Sequence, residues 1–356
     1  MTKLRVGIIG LGVIATSKHI PSLMKINQVE IVAFCDILPE RCEKANVAFG
    51  LNAKIYTDYH DLCSASNIDV VHICTPNPLH CEMTLTAFDF GKHVHCEKPM
   101  ACTYADSLKM IEASKRAGKK LTVGLQWRYR DQCVYMRELV KQGYFGDVYY
   151  MKSQQLRGRR LPAYGVYTNK EQNGGGVLMD GGPHSIDLPM WIADNYEPMS
   201  VRGVITDKMR YSTEGNALGS WDPQNFNVED SAFALITMKN GLVIYMEVAW
   251  TINMMQSAPG IVVALAGTKA GADMVGPQMN TSVRLNQIIN EKQSITVPTL
   301  GMPPMMNMND YDITHWIDAI LYDKAPAVLP EQAAVVTRVM EGIYESAATG
   351  KTIFFD

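Results

Sequence analysis

The stretch VGIIGLGVIATSKHIP, Val6 to Pro21, decides the fold of this chain of 356 residues. An apolar run, typical of a buried strand, leads into Gly10-x-Gly12-x-x-Ala15, where a helix is expected to begin. The first glycine allows a tight turn, the second lets the backbone approach a pyrophosphate, and the small third residue lets helix and strand pack closely. Unpaired N–H groups at the helix start would bind the phosphates. The pattern predicts a dinucleotide-binding βαβ unit.

A carboxylate at the end of the next strand supports this interpretation. Asp36 follows an apolar run and lies 24 residues beyond Gly12, close to where an acidic side chain binds the adenine ribose hydroxyls. Because a carboxylate there repels a 2′-phosphate, NAD is predicted as the cofactor and NADP is less favoured. Arg41 weakens the choice slightly, since a nearby guanidinium can accommodate that phosphate.

Short segments rich in valine and isoleucine recur through the first third of the chain: LRVGIIG, VEIVAFC, DVVHICT, HVHCEK and KLTVGLQ. Nearly continuous apolar runs of this kind are typical of strands covered on both faces. Helical stretches such as Pro39–Gly50 and His80–Gly91 separate them. The alternation predicts an α/β fold with a Rossmann domain, a doubly wound parallel sheet, over residues 1–125.

The pattern of apolar and polar residues changes after about residue 126. Asp230–Met238 and Leu242–Trp250 are two long runs of strand-forming residues, and Asn240-Gly241 between them indicates a hairpin. Helices are expected near Pro183–Ala193 and Pro330–Thr349, and a loop over the methionine-rich 301–310. Residues 126–356 are therefore predicted to form an α+β domain with a mostly antiparallel open sheet, serving substrate binding and oligomerisation.

The composition bounds the partners of the protein. A net charge of −3, with no long run of lysine and arginine, predicts no nucleic acid as partner. The apolar segments are too short for a membrane span or a signal peptide, so the expected location is the cytoplasm. The eight cysteines form no CxxC pair, so we expect buried thiols and no metal.

The stretch HVHCEKPMA, His93 to Ala101, places a charged pair and a proline at the end of a predicted strand. Ligands of open α/β sheets bind at the carboxyl ends of strands. Lys98 there would stabilise developing negative charge on a reacting oxygen, whereas an ordinary surface ion pair is the alternative. Upstream, CTPNPLH offers Thr75 and Asn77 as hydrogen-bond partners of the cofactor at the end of the neighbouring strand, and His80 as a cofactor contact or a helix-start residue. A proline-bracketed turn is the alternative there.

The stretch GGGVLMDGGPHSIDLPMWI, Gly174 to Ile192, carries the other candidate site residues. If a helix begins near Pro183, His184 lies in its first turn and Asp180 lies just before it. A helix N-terminus favours the neutral imidazole, which can accept a proton. The spacing alone leaves a structural histidine and a catalytic one about equally plausible.

Taken together, these motifs resemble the glucose–fructose oxidoreductase, inositol dehydrogenase and MocA-like (Gfo/Idh/MocA) oxidoreductases. The resemblance implies that Lys98, Asp180 and His184 form the catalytic group and that the Lys98–Pro99 peptide is cis. It also implies transfer of a hydride between nicotinamide and a hydroxyl of a sugar, glycoside or cyclic polyol. Gly181 and Pro183 depart from the apolar residues common in the family, which puts the pocket shape in question.

The predicted site residues fall into two groups. Predicted to contact the cofactor are Gly10, Gly12, Val13, Ile14, Ala15, Asp36, Arg41, Thr75, Asn77, His80, Glu97, Lys98 and Arg128. Predicted to contact the substrate are Lys98, Trp127, Tyr129, Arg160, Asp180, His184 and Trp250. For Trp250 a place in the core is about as plausible. Arg160 lies in a cluster with Arg157 and Arg159, for which a solvated loop or an interface is the favoured interpretation and recognition of a phosphate or carboxylate on the sugar is the alternative.

Two other functions fit the same motifs. One is a lyase or glycoside hydrolase that oxidises its substrate only transiently, and the other is a sugar or dinucleotide sensor without catalysis. A homodimer or homotetramer is expected, because an uncovered sheet face must be buried.

Overall fold

The computed structural model describes residues 3–254, 262–275, 282–300 and 307–356, which form two compact units. Residues 3–126 and 307–334 make up the first unit, and the other described residues make up the second. The first of these stretches ends at residue 126, and the domain bounds 1–125 and 126–356 stay a prediction. The segment 307–334 groups with the first unit, which its position in the sequence did not indicate.

The first unit contains a six-stranded parallel sheet with the order β3-β2-β1-β4-β5-β6. Its strands are β1 Leu4–Ile9, β2 Val29–Cys35, β3 Lys54–Tyr56, β4 Val70–Ile73, β5 His93–Cys96 and β6 Leu121–Val123. The five predicted strands are present, and the three-residue β3 is additional. The strand order reverses direction between β1 and β4, which is the switch point at which such sheets bind ligands. The predicted doubly wound sheet is confirmed.

The helices of both units have the following bounds: α1 Ile20–Leu23, α2 Pro39–Phe49, α3 Tyr59–Ser64, α4 His80–Asp89, α5 Tyr104–Ala117, α6 Asp131–Lys141, α7 Lys170–Asn173, α8 Val177–Asp180, α9 Gly182–Ala193, α10 Met308–Leu321 and α11 Pro330–Thr349. A π-helical turn, Ala15–His19, leads directly into α1. Of the predicted methionine-rich loop, residues 301–306 lie outside the described part of the chain. Met308 already belongs to α10, whose start is capped by the Asn307 side chain.

The core of the first unit lies on both faces of its sheet. One apolar cluster contains Val71, Val94 and Met110, and the other contains Ile8, Phe34 and, from α10, Trp316. α10 therefore covers the sheet beside α1, which explains why the segment 307–334 groups with this unit.

The second unit contains a nine-stranded sheet with the order β14-β13-β12-β11-β7-β10-β9-β8-β15. Its strands are β7 Val148–Leu156, β8 Pro198–Thr206, β9 Ser231–Met238, β10 Val243–Ala249, β11 Val262–Gly267, β12 Ala270–Val275, β13 Ser282–Ile289, β14 Lys292–Thr296 and β15 Ile353–Phe354. The predicted hairpin is β9–β10, and Gly241 has the positive φ of 88° that its turn requires. Among the described strands of this sheet, only β7 and β10 pair in parallel. α9 packs against these two strands.

Candidate active site

The glycine-rich turn after β1 has the geometry of a phosphate cradle. Gly10 has φ +89°, and a Cβ there would lie 2.7 Å from the carbonyl oxygen of Cys74, so a side chain is excluded. A Cβ on Gly12 would meet no described atom within 4 Å, so the space beside this backbone is open. Ala15 is buried at the start of the π-helical turn. The residues present therefore fit a bound pyrophosphate.

Asp36 lies directly after β2, at the same edge of the sheet. Its Oδ2 accepts a hydrogen bond from the Leu11 N–H at 2.8 Å, and its Oδ1 accepts one from the Leu38 N–H at 3.0 Å. A guanidinium nitrogen of Arg41 lies 3.6 Å from Oδ2. The carboxylate is thus held against the glycine-rich turn. Its contact with a ribose stays a prediction.

Glu97, directly after β5, lies at the centre of a buried polar network. Its Oε1 accepts hydrogen bonds from Lys18 Nζ at 2.7 Å and from His19 at 2.9 Å, while its Oε2 accepts one from the Lys98 N–H at 3.2 Å. Lys18 also contacts Asp312 of α10 at 2.8 Å. Glu97 therefore fixes the backbone of Lys98, and its contact with the cofactor stays a prediction.

The charges of this network support one another. Burial alone would raise the pKa of Glu97, but the Lys18 ammonium and the His19 hydrogen bond lower it well below its usual range. Burial likewise opposes ionisation of Asp312, yet Lys18 and His95 bring its pKa to about 2. The pKa of Lys18 is raised despite burial, because two carboxylates face it. All three side chains are therefore charged at neutral pH, and the ion pairs between them are intact.

The turn at Lys98–Pro99 has the cis peptide implied by the family resemblance. His80, at the start of α4, has one ring nitrogen 2.8 Å from the carbonyl oxygen of Pro99 and the other 2.9 Å from that of Thr75. Its side chain is completely buried, and burial lowers its pKa, so one neutral ring donates to one of these carbonyls at a time. The cofactor contact predicted for His80 is therefore wrong. The residue joins two strand-end turns.

In the second unit, the glycines of the GGG stretch let the chain pass close to β9. A Cβ on Gly176 would lie 1.9 Å from the carbonyl oxygen of Glu229. The Glu229 carboxylate accepts hydrogen bonds from the N–H groups of Gly176 and Leu178 and from the Tyr344 hydroxyl, at 2.8 to 3.0 Å. These contacts fix α8, whose last residue is Asp180.

Asp180 is oriented by a hydrogen bond and lies near a cation. Its Oδ2 accepts a hydrogen bond from the indole N–H of Trp250 at 2.8 Å, and a guanidinium nitrogen of Arg157 lies 3.8 Å away. Trp250 is 0% exposed, so it has no face for a sugar ring. The substrate stacking predicted for Trp250 is therefore wrong, and the alternative of a core tryptophan is correct. Its polar edge orients Asp180.

His184 lies in the first turn of α9, as predicted. Its ring packs on the indole of Trp127, with the two ring centroids 5.7 Å apart. Trp127 belongs to the short 3-10 segment Gln126–Tyr129, and the guanidinium of Arg130 lies over its ring at 5.2 Å from the centroid. The structure thus brings two of the predicted substrate-binding residues, Trp127 and His184, into contact.

Arg128 forms a buried ion pair that the sequence analysis did not foresee. Its guanidinium donates two hydrogen bonds to Asp187 of α9, at 2.8 and 2.6 Å, and both side chains are 1% exposed. The Tyr196 hydroxyl lies 2.7 Å from Arg128 and 2.8 Å from Asp187. The pair ties the segment that carries Trp127 to the helix that carries His184. The cofactor contact of Arg128 stays a prediction.

The three arginines before the GGG stretch have separate surroundings. Arg157 faces Asp180, and Arg159 donates hydrogen bonds to Ser212 and Asn253. Arg160 is exposed. They do not converge on one anion, although the cluster in the sequence had left that possibility open.

Sequence reasoning missed Lys18, His19 and Asp312, which surround Glu97, and Glu229, which holds the GGG stretch. Lys18 and His19 directly follow the dinucleotide motif, and their burial depends on the π-helical turn. The acidic pair Glu229-Asp230 immediately before a strong strand was a visible signal. The sequence contains no such signal for Asp312, because it lies more than 200 residues from its partners.

Known proteins match the chain over almost its full length. Residues 4–125 match the family model GFO_IDH_MocA, described as an oxidoreductase family with an NAD-binding Rossmann fold, and residues 137–354 match its C-terminal alpha/beta domain. The D-glucoside 3-dehydrogenase of Escherichia coli K12 is 30% identical over 350 residues, which cover 98% of this chain and 97% of that protein. The inositol 2-dehydrogenase of Salmonella paratyphi B is 34% identical over 201 residues, 56% of this chain and 57% of that protein.

A solved structure agrees with these matches. The aldose-aldose oxidoreductase from Caulobacter crescentus, crystallised with glycerol, superposes with a TM-score of 0.82 at 26% identity and covers 99% of this chain and 100% of its own. Within the described residues, no helix is both long and apolar enough to cross a membrane. The chain belongs to the Gfo/Idh/MocA oxidoreductase family, with an NAD-binding Rossmann fold followed by the family's C-terminal α/β domain.

Proposed function

We propose that this chain oxidises a ring hydroxyl of a neutral sugar, glycoside or cyclic polyol, with NAD as the hydride acceptor. The observation that carries the proposal is the match to the D-glucoside 3-dehydrogenase, which extends over 98% of the chain. The matches to inositol 2-dehydrogenase and aldose-aldose oxidoreductase support a polyhydroxylated ring substrate. Bound NAD would supply the electrophilic nicotinamide carbon that takes the hydride.

Each of three residues has one task in the proposed reaction. His184 accepts the proton of the reacting hydroxyl, and its place in the first turn of α9 favours the neutral ring that this task needs. Lys98 stabilises the negative charge that develops on the substrate oxygen. Asp180, held by Trp250, accepts a hydrogen bond from a substrate hydroxyl. As this oxygen loses its proton, the carbon that bears it loses a hydride to the nicotinamide.

The arginines favour a neutral substrate over a sugar acid or sugar phosphate. A site for an anionic group normally presents a guanidinium in bidentate geometry. Here Arg157 faces a carboxylate, and Arg159 is engaged by Ser212 and Asn253. Arg160 is exposed, and its contact with the substrate stays a proposal.

We further propose that a second copy of the chain covers part of the large sheet. Val204 of β8, Leu235 of β9 and Tyr149 of β7 are 45 to 55% exposed, although they are large apolar or aromatic residues within strands. Burying such a surface favours a homodimer or homotetramer. Light scattering on purified protein would test it, and a monomer at micromolar concentration would contradict it. The eight free thiols favour the cytoplasm as its location.

The test is reduction of NAD followed by near-ultraviolet absorbance across glucosides, inositols, aldoses, uronates and sugar phosphates. Lys98→Ala and His184→Ala should lower kcat by at least about 100-fold. The exposed residues Lys109 and His60 provide matched controls, and Lys109→Ala and His60→Ala should keep full activity. Equal activity in all four variants would contradict the assigned roles.

The cofactor preference is tested with Asp36→Ser in the same assay. Loss of a charged acceptor for the ribose hydroxyls should raise the KM for NAD about 10-fold or more. The ratio of kcat/KM with NAD to kcat/KM with NADP should therefore fall. NAD that binds but yields no NADH with any substrate would favour a lyase or glycoside hydrolase, which oxidises its substrate only transiently and leaves the cofactor with no net change.

A further inference from the structure

Three histidines meet inside the first unit, outside the groups that the proposed reaction uses. His19 comes from the π-helical turn, and His72 of β4 and His95 of β5 are register partners on neighbouring strands. All three side chains are 0% exposed. Their ring centroids lie 4.9 to 5.0 Å apart, and one ring nitrogen of each lies within 4.8 Å of the others.

Two carboxylates set the protonation of two of these rings. His19 Nε2 lies 2.9 Å from Glu97 Oε1, and His95 Nε2 lies 3.2 Å from Asp312 Oδ2. An ionised carboxylate only accepts hydrogen bonds, so the nitrogen facing it carries the proton. The Nδ1 atoms of His19 and His95 are then left with lone pairs. A carboxylate behind a histidine is the usual support for a metal-binding imidazole.

Hydrogen bonds alone leave this cluster incomplete. His19 Nδ1 and His72 Nδ1 are 2.8 Å apart and share one proton at most. Within the described part of the chain, His72 Nε2 and His95 Nδ1 have no hydrogen-bond partner, although both atoms are buried. Buried polar atoms of this kind normally have a partner.

The charge around the cluster is also suited to a cation. Glu97 and Asp312 carry two negative charges, and Lys18 between them carries one positive charge. With neutral histidines the group is therefore net negative, and a divalent ion brought among the rings would meet a favourable field. Three imidazoles on one ion, at metal–nitrogen distances of about 2.0–2.1 Å, have ring centroids roughly 5 Å apart.

We infer that His19, His72 and His95 form a binding site for one divalent d-block cation of the zinc class. Imidazole nitrogen suits zinc, cobalt, nickel and copper ions, whereas magnesium and calcium prefer oxygen. Donor nitrogens on one such ion are roughly 3.3 Å apart, so the rings must rotate slightly while the backbone stays in place. The ion would join β4, β5 and the π-helical turn behind Glu97. The expectation of no metal rested on cysteine spacing, which does not test for such a site.

The experiment measures metal in the whole protein, free of any histidine tag. Because the site is buried, the protein is produced in media containing Zn²⁺ or Co²⁺ and is also incubated with each ion after purification. Excess ion is removed before mass-spectrometric metal analysis. We expect about one ion per chain, with d–d absorption of bound Co²⁺ in the visible range. Zn²⁺ at 100-fold above its Kd should raise Tm by about 5–10 °C.

Variants distinguish this site from adventitious binding. His95→Leu should abolish retention of the ion, whereas His60→Ala, an exposed histidine outside the cluster, should retain it fully. Asp312→Asn keeps all three imidazoles and should weaken binding about 10–100-fold. No retained ion in wild-type protein by either route, or equal retention in His95→Leu and wild type, would overturn the inference. Since metal content is the readout, the result does not depend on the proposed reaction.

Discussion

Replacing Arg128 by methionine should destabilise the second unit strongly. The change removes two hydrogen bonds to Asp187 and leaves a carboxylate that is 1% exposed without its counter-charge. Breaking a buried ion pair from one side costs about 3–5 kcal/mol. For a unit of this size, that free energy corresponds to a fall in Tm of roughly 6–20 °C.

A surface pair in the same unit provides the matched control. Arg284 and Asp273 also form an arginine–aspartate pair, but their side chains are 44% and 34% exposed. Exposed pairs contribute at most about 1 kcal/mol, so Arg284→Met should change Tm by only a few degrees. Scanning calorimetry of both variants gives the comparison. Equal losses in the two variants would refute the assignment of Arg128 as a buried brace.

A double variant separates lost charge from lost packing. Arg128→Met combined with Asp187→Leu removes both charges, so much of the stability should return. Because the pair ties the Trp127 segment to the helix of His184, Arg128→Met should also lower kcat/KM at temperatures where it is folded. An additive double variant would show that the two side chains do not compensate each other.

The remaining predictions concern single sites. Gly10→Ala should lower Tm, because its Cβ would meet a carbonyl oxygen at 2.7 Å, whereas Gly12→Val should leave Tm unchanged and weaken NAD binding, measured by calorimetry, at least about 100-fold. Trp250→Phe should reduce kcat/KM up to about 10-fold by removing the hydrogen bond to Asp180; unchanged kinetics would argue against that role. Burial raises the pKa of Asp230 to about 6, so its protonated form favours the folded state and this contribution is lost as pH rises through about 6. The difference in Tm between wild type and Asp230→Asn should therefore change as pH rises from about 4 to about 6, and a difference that stays constant over this range would contradict the shift.

The sequence predicted the helices and strands whose ends are determined by residues next to them in the chain. Apolar runs interrupted by Gly10 and Gly12 specify the βαβ unit, and Asn-Gly specifies the β9–β10 hairpin. α11 has its predicted bounds, because Pro330 starts it and Gly350 follows it.

What the sequence could not give depends on contacts between distant segments. Asp312 contacts Lys18 because α10 packs on the sheet of the first unit. The sequence around residue 312 contains no pattern that predicts this contact. Trp250 had two plausible positions, and burial in the folded chain decided between them. His80 follows a strand end, where ligands of such sheets bind, yet its buried ring lies between two backbone carbonyl oxygens.

The most direct test of the proposed reaction follows the hydride itself. Purified protein would be incubated with NAD and a glucoside deuterated on its ring carbons, and the reduced cofactor would be analysed by mass spectrometry. The account predicts NADH that carries one deuterium per molecule, absent in His184→Ala and present in His60→Ala. Cofactor that binds but acquires no deuterium from glucosides, inositols or aldoses would contradict oxidation of a ring hydroxyl by this chain.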